Sequence, residues 1–246
     1  MKYPLVKREI KGKNGRKMSF WFRTGTNDLE IINEVFVKDK YKICTLDLKK
    51  DDIVIDFGAH IGAATLLLAS LRDDLIILSY EAMRKNIDVL LKNVKENNIK
   101  SEITLNNQAV WFYEEDEVKL HYGDNSKEGR IHKFNGSLYV RKGYYDHRLL
   151  KKVNATNLSE IFELNHVRDC KFMKMDVEGS EYGIFKAAPP DILEMIKRIH
   201  GEYHWIEPLE RKNLRKTLLK HTKGVYNDKT PGGEKYPVGP FIFVKK

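Results

Sequence analysis

Three carboxylates fall within six residues in "MKMDVEGSEYG": Asp176, Glu178 and Glu181, with Gly179 among them. The apolar run before them reads as a late buried strand, so the acids sit at its end and in the turn that follows. Carboxylates gathered there can take a proton or hydrogen-bond a ligand. Glu181 alone also suits a helix N-terminus, where the helix dipole stabilises an acid. Further on, "GEYH" places Glu202 and His204 at the end of the next strand. Histidine has an unperturbed pKa fit for a general base, although one near a strand end is as often a structural hydrogen-bonder. The candidate catalytic residues are Asp176, Glu178 and His204. Carboxylates at Asp176, Glu178 and Glu202 would suit magnesium, but no dedicated spacing supports it, and the expectation is a site without a resident metal.

The second cluster is "VIDFGAHIGA", in which an apolar run ends in Asp56 and Gly58 and Gly62 follow. Glycines at a first strand-to-helix turn let a cofactor come near the backbone, and helix-start amides can receive a polar ligand. The same glycines equally allow tight packing of helix on strand. Nineteen residues after Gly62, Glu81 ends the second strand, where an acid can accept hydrogen bonds from both hydroxyls of a ribose. That favours a nucleoside cofactor. His60 stands where a dinucleotide fingerprint has its second glycine, the one that admits a pyrophosphate. S-adenosylmethionine has no pyrophosphate, and its cationic groups favour nearby acids such as Asp56. It is therefore preferred to a nicotinamide cofactor.

These residues need strands and helices to hold them. From Ile53 a βαβ rhythm sets in: strand "IVIDF", helix "GAATLLLASLR", strand "LIILSYE", helix "RKNIDVLLKNVKENN" with Ile87, Leu90, Leu91 and Val94 on one face, and strand "ITLNNQAVW". Helix "NLSEIFELN", strand "CKFMKMDV", a helix near 190–197, strand "RIHGEYHW", a helix around "LERKNLRKTLLKH" and a terminal strand in "GGEKYPVGPFIFVKK" follow. The expected fold is α/β, a Rossmann-like doubly wound sheet, mostly parallel with an antiparallel terminal strand. Residues 1–50 form a strand and helix extension packed on the core, the helix starting at Asn27 or Asp28 with Ile31, Ile32, Val35 and Phe36 on one face. Residues 51–246 form the main domain. Residues 112–150 break the rhythm with "EEDE", several glycines, and Tyr122, Phe134, Tyr139, Tyr144 and Tyr145, and read as a substrate-side insertion.

The chain has 246 residues, 41% hydrophobic and 32% charged, with a net charge of +9 spread over its length. It can bury a real core, so disorder is disfavoured. No apolar stretch approaches the roughly 20 residues of a membrane span, and no signal peptide is visible. Cys44 and Cys170 read as two reduced thiols in a cytoplasmic protein.

"VIDFGAHIGAAT", "YEAMRKNIDVLLKNVKENNI", "NNQAVW" and "NLSEIFELNHVRDCKFMKMDVEGSEYGIFKAA" resemble, in order and spacing, the FkbM-type family of S-adenosylmethionine-dependent methyltransferases. "RTGTNDLEIINEVFVKDKY" and "IHGEYH" resemble its flanking segments. The resemblance spans roughly residues 20–205. It implies the class I methyltransferase fold and methyl transfer, usually to a hydroxyl oxygen of a sugar, glycan or other small molecule. By position, Asp56, Gly58, Ala59, His60 and Gly62 line the methionine part of the cofactor. Glu81 with Ala82 holds the ribose, Asn107 and Gln108 flank the adenine, and Asp176 contacts cofactor or substrate. At position 60 the family more often has asparagine.

Two other readings compete. One is an RNA ribose 2′-O-methyltransferase, suited by the positive charge and the aromatics of the insertion, with Lys174 near Asp176 helping to activate the hydroxyl. Lys174 lies two residues earlier in a strand and could share that face only at a distance. The other is a protein that binds S-adenosylmethionine without transferring its methyl group, against which the acids at Asp56, Glu81 and Asp176 argue.

Overall fold

The computed structural model describes residues 3–112, 117–121, 150–204, 208–221, 224–228 and 238–246. The chain opens with a hairpin of β1 (Leu5–Lys11) and β2 (Lys17–Arg23), then a short helix, α1 (Asp28–Ile32), which runs into a π-helical turn at Asn33–Val37. The alternating unit follows: β3 (Ile53–Phe57), α2 (Ala63–Leu71), β4 (Ile76–Tyr80), α3 (Arg84–Glu96) and β5 (Glu102–Asn106). After β6 (Ala109–Val110), β7 (Glu117–His121) and β8 (Leu150–Thr156) come α4 (Leu158–Leu164), β9 (Cys170–Met175), α5 (Glu181–Ala187), α6 (Pro190–Met195) and β10 (Arg198–His204). The chain ends with α7 (Pro208–His221), β11 (Gly224–Asp228) and β12 (Val238–Lys245).

The central sheet has the order β11-β12-β10-β9-β3-β4-β5. From β10 to β5 every pairing is parallel, and β12 runs antiparallel to both of its neighbours. The chain leaves β3 towards β5 and returns on the other side through β9. The sheet therefore has a topological switch point between β3 and β9, where open α/β sheets bind ligands at their carboxyl edge. "VIDFGAHIGA" and "MDVEGSE" emerge side by side at that edge.

The central strands are mostly apolar because helices cover both faces, with Asp56, Ser79 and Lys174 as buried polar exceptions. Ile55, Phe57, Met173, Met175 and Phe185 fill one side. Val54, Ile61, Leu66, Leu67 and Phe172 fill the other, together with Phe20, Phe22, Ile32 and Phe36 from the N-terminal segment. Asn93, buried on α3, ties the hairpin down: its Oδ1 accepts from the Trp21 amide at 2.6 Å and its Nδ2 donates to Ile61 O at 2.8 Å. Leu91, expected on the buried face of α3, is exposed, and Val89 is buried in its place.

The expected strand "ITLNNQAVW" divides into two. β5 stays in the central sheet, whereas β6 pairs with β8 in a second sheet of order β6-β8-β7. Asn107 marks the break, its Nδ2 donating to Glu81 O and Ala82 O at 2.9 and 3.0 Å. The edge strand β11 was not anticipated, whereas α5 starts at Glu181, the acid that suited a helix N-terminus. The capping box on α4 comes from Asn157 and Glu160, the expected helix start. Asn27 makes no side-chain cap, and the Asp28 carboxylate beside it accepts from Arg23. Most of the 112–150 insertion, including Tyr122, Phe134, Tyr139, Tyr144 and Tyr145, lies outside the described residues. β7 and β8, which flank it, pair antiparallel.

Candidate active site

The turn between β3 and α2 holds Gly58 (φ +73°), His60 (φ +51°) and Gly62 (φ +95°) in left-handed conformations. A side chain at Gly58 would place its Cβ 1.8 Å from the Asp176 carbonyl oxygen, and one at Gly62 would meet Leu90 Cδ1 at 2.3 Å. Both glycines are therefore demanded by protein packing. The amides of Gly58 and Ala59 both donate to Tyr80 O, that of Gly62 to Ala59 O, and that of His60 to Glu81. These four amides are thus spent inside the protein rather than held out to a ligand. Ala59 and Gly62 are themselves buried.

Asp56 corrects an expectation. Its side chain is 0% exposed, so it presents no surface to a cofactor. Its Oδ2 accepts from Thr65 Oγ1 at 2.7 Å, and its Oδ1 lies 3.1 Å from Lys174 Nζ. That ammonium also donates to Phe57 O and Gly58 O, each at 2.9 Å. Lys174 therefore cross-links the two motif turns, and Asp56 supplies its buried counter-charge. Its Nζ stands 4.0 Å from Asp176 Oδ2, the distant approach expected from its place on the strand.

Glu81 is buried at the end of β4. It accepts from the His60 amide at 2.9 Å on Oε2, and from the Met83 amide at 2.8 Å and Asn86 Nδ2 at 3.2 Å on Oε1. Burial raises its pKa, and these donors restrain the rise. A carboxylate offers about four lone-pair positions, so one remains open on Oε2. Asn86 Oδ1 takes a bond from Arg23 Nη2 at 2.8 Å, and Arg23 grips Asp28 through two bonds of 2.8 Å. The N-terminal segment thus braces the carboxylate from behind, which sequence reasoning missed. His60 Nε2 approaches Asp28 at 3.6 Å. Burial lowers the His60 pKa to about 4, so the imidazole is neutral and puts no charge beside the turn. Ala82 and Asn107 line the same edge, half-buried, with Gln108 Nε2 directed to Ala155 O at 3.5 Å.

Across the switch point, Asp176, Glu178, Glu181, Glu202 and His204 are brought together. His204 Nδ1 lies 3.1 Å from Glu181 Oε1. Its Nε2 lies 3.7 Å from an oxygen of each of Asp176, Glu178 and Glu202. Glu181 has no exposed surface and also accepts from the Val177 and Gly179 amides, so it is a scaffold. Asp176 Oδ2 accepts from the Tyr41 hydroxyl at 2.5 Å, and Glu202 Oε2 from Lys40 Nζ at 2.8 Å. Tyr41 and Lys40 were not singled out in the sequence, where they read as part of an ordinary helical segment. Glu178, held at φ +57°, makes no hydrogen bond among the described residues and is the most exposed of the four acids at 39%. Left-handed backbone on residues other than glycine is costly and tends to gather at functional sites.

The charges follow from this crowding. Burial would lower the His204 pKa, but the Glu181 hydrogen bond and the surrounding acids raise it to about 10. Burial pushes Glu178 up to about 7, the neighbouring acids adding to the rise and His204 opposing it. Burial also works against ionised Asp176, yet Lys174, His204, Lys40 and Tyr41 outweigh it and hold that carboxyl below the usual range.

A family model described as the methyltransferase FkbM domain matches residues 56–196. No curated protein matches the chain in sequence. Among solved structures, the chain is 15% identical to a precorrin-6y C5,15-methyltransferase from Geobacter metallireducens, covering 82% of this chain and 86% of that one, with a TM-score of 0.44. It is 13% identical to a SAM-dependent O-methyltransferase from Thermotoga maritima (97% and 77% covered, TM-score 0.45). At these scores neither bears on substrate. A nucleoside donor fits the edge described: Glu81 keeps an acceptor position, and two buried nitrogens there, His60 Nδ1 and Asn106 Nδ2, have no hydrogen-bond partner among the described residues. The chain belongs to the FkbM methyltransferase family, and its methyl donor is S-adenosyl-L-methionine.

Proposed function

We propose that the chain methylates a hydroxyl oxygen of a sugar, glycan or other small polyhydroxyl molecule, with Glu178 as the proton acceptor. The observation that carries this reading is the partly exposed Glu178 carboxylate, which accepts no hydrogen bond among the described residues and faces His204 only at 3.7 Å, beside three acids that are each tied down by hydrogen bonds. The donor supplies a methyl group on a sulfonium, already activated, so the protein's work is positioning and proton removal. Glu81 anchors the donor through its open acceptor position, with Ala82, Asn107 and Gln108 alongside. Asp176, fixed by Tyr41 and flanked by Lys174, orients the acceptor hydroxyl. Glu178 takes its proton as the oxygen–carbon bond forms. His204, held by Glu181, keeps the carboxylates apart and in place.

Four acids around one imidazole repel a phosphate backbone, which favours a neutral acceptor over RNA. Two unpaired cysteines, Cys44 and Cys170, fit a reducing cytoplasm. No helix among the described residues is long and apolar enough to cross a membrane.

The test is turnover with a pool of sugar and alcohol acceptors, alongside S-adenosylhomocysteine affinity. Glu178→Gln is expected to lower kcat by at least about 100-fold and leave donor affinity within a factor of about two. Unchanged kcat would remove Glu178 from the role.

A further inference from the structure

The same edge of the sheet holds a second kind of chemistry, which does not depend on the identity of the methyl acceptor. Asp176, Glu202 and His204 each offer one ligand atom, and all three atoms lie within 4.8 Å of one another. Glu202 and His204 are two residues apart on β10, so both project from one face of the strand. Asp176 follows β9, which pairs with β10 in parallel.

Three observations point to an ion between them. The imidazole is only 7% exposed, yet among the described residues its Nε2 has no hydrogen-bond partner. The carboxylate oxygens facing it all stand off at 3.7 Å, beyond hydrogen-bond length. Asp176 Oδ1, one of these oxygens, is buried and likewise without a hydrogen-bond partner. Ligand atoms about 2.1 Å from a shared centre are about 3.6 Å apart when they subtend about 120°, close to the 3.7 Å between Nε2 and the Asp176 and Glu202 oxygens. Behind the ring, Glu181 accepts from Nδ1 at 3.1 Å. A carboxylate on the far nitrogen is the arrangement that orients metal-bound histidines and fixes their tautomer.

We propose that Asp176, Glu202 and His204 bind one divalent first-row metal ion. Two carboxylate oxygens and one imidazole nitrogen suit manganese, iron or zinc better than calcium, whose sites are built from oxygen alone. Glu178, whose Oε2 is also 3.7 Å from Nε2, stands beside the site as a further oxygen within reach. Lys40 lies on Glu202 at 2.8 Å from a side chain one-third exposed, and it swings away when the ion takes its place. The ion brings two positive charges to a cluster in which four acids face one imidazole and two ammonium groups, Lys40 and Lys174.

Chelator-treated full-length protein is titrated with manganese(II), followed by calorimetry and by the paramagnetic signal of the free ion. One saturable site per chain is expected, and Glu202→Gln and His204→Gln should each weaken it by at least about tenfold. Circular dichroism on both variants confirms that they are folded. No saturable binding by the wild type, or affinity unchanged in both variants, overturns the site. S-adenosylhomocysteine titrated into the same samples reads the donor pocket separately. Its failure to bind would overturn the donor assignment and leave the metal result standing.

Discussion

Lys174 shows how much of the site depends on one buried ammonium. It holds two carbonyls of the glycine turn and faces Asp56, which has no exposed surface. Removing one partner of a buried pair leaves the other charge uncompensated, at a cost of about 3–5 kcal/mol. Lys174→Met is expected to lose about that much stability in urea denaturation, and Asp56→Asn in the same chain to recover part of it. No recovery would mean that the pair is not what Lys174 stabilises. His60 gives a pH dependence. Its folded pKa of about 4 lies below the ordinary 6.5, so unfolding takes up a proton between those values. The contribution is present in full above pH 6.5 and is lost as the pH falls towards 4. Between pH 7 and pH 5.5 it amounts to about 1 kcal/mol, and His60→Asn should flatten the stability curve by that amount. The acids and histidine of the site were legible because they sit at the ends of β9 and β10 or in the turn that follows β9. Tyr41 and Lys40 were not, because they reach Asp176 and Glu202 from far upstream in the chain. Asp56 was legible as a strand-end acid, but nothing in the sequence says that its carboxylate turns inward.

The turn between β3 and α2 read in the sequence equally as a cofactor turn or as tight packing, and the structure shows the packing. Gly58 and Gly62 admit neighbouring protein, one the Asp176 carbonyl and the other Leu90. The difference between those neighbours sets an expected order. Gly58→Ala drives a methyl group into fixed backbone and should abolish donor binding or folding. Gly62→Ala meets the end of a flexible side chain but must also hold φ +95°, and the two together should cost about 2–4 kcal/mol in thermal or urea denaturation. The reverse order would contradict the packing described. Elements with a strong period (β3, β4, α3, β9 and β10) were readable, since their apolar spacing is set by burial on one or both faces. The break after β5 was not, because "ITLNNQAVW" carries no glycine or proline to mark it, and it is set by the Asn107 bonds to Glu81 and Ala82.

For the whole molecule, the βαβ rhythm made a mostly parallel, doubly wound sheet with an antiparallel terminal strand legible, whereas the strand order and the switch point between β3 and β9 come from the structure. The part played by the first fifty residues was less visible. They supply core side chains, the brace behind Glu81 and two groups of the acid site. The net charge of +9 does not describe the site, where acids dominate. Salt-sensitive RNA association is accordingly not expected in filter binding at low salt, and finding it would revive the RNA reading. The most direct test of the central claim is NMR of the product formed from donor carrying a 13C-labelled methyl group and a polyhydroxyl acceptor pool. The account predicts a methyl ether carbon, present with the wild type and lost with Glu178→Gln while S-adenosylhomocysteine still binds. A label on nitrogen or carbon, or an ether formed equally well by Glu178→Gln, would contradict it.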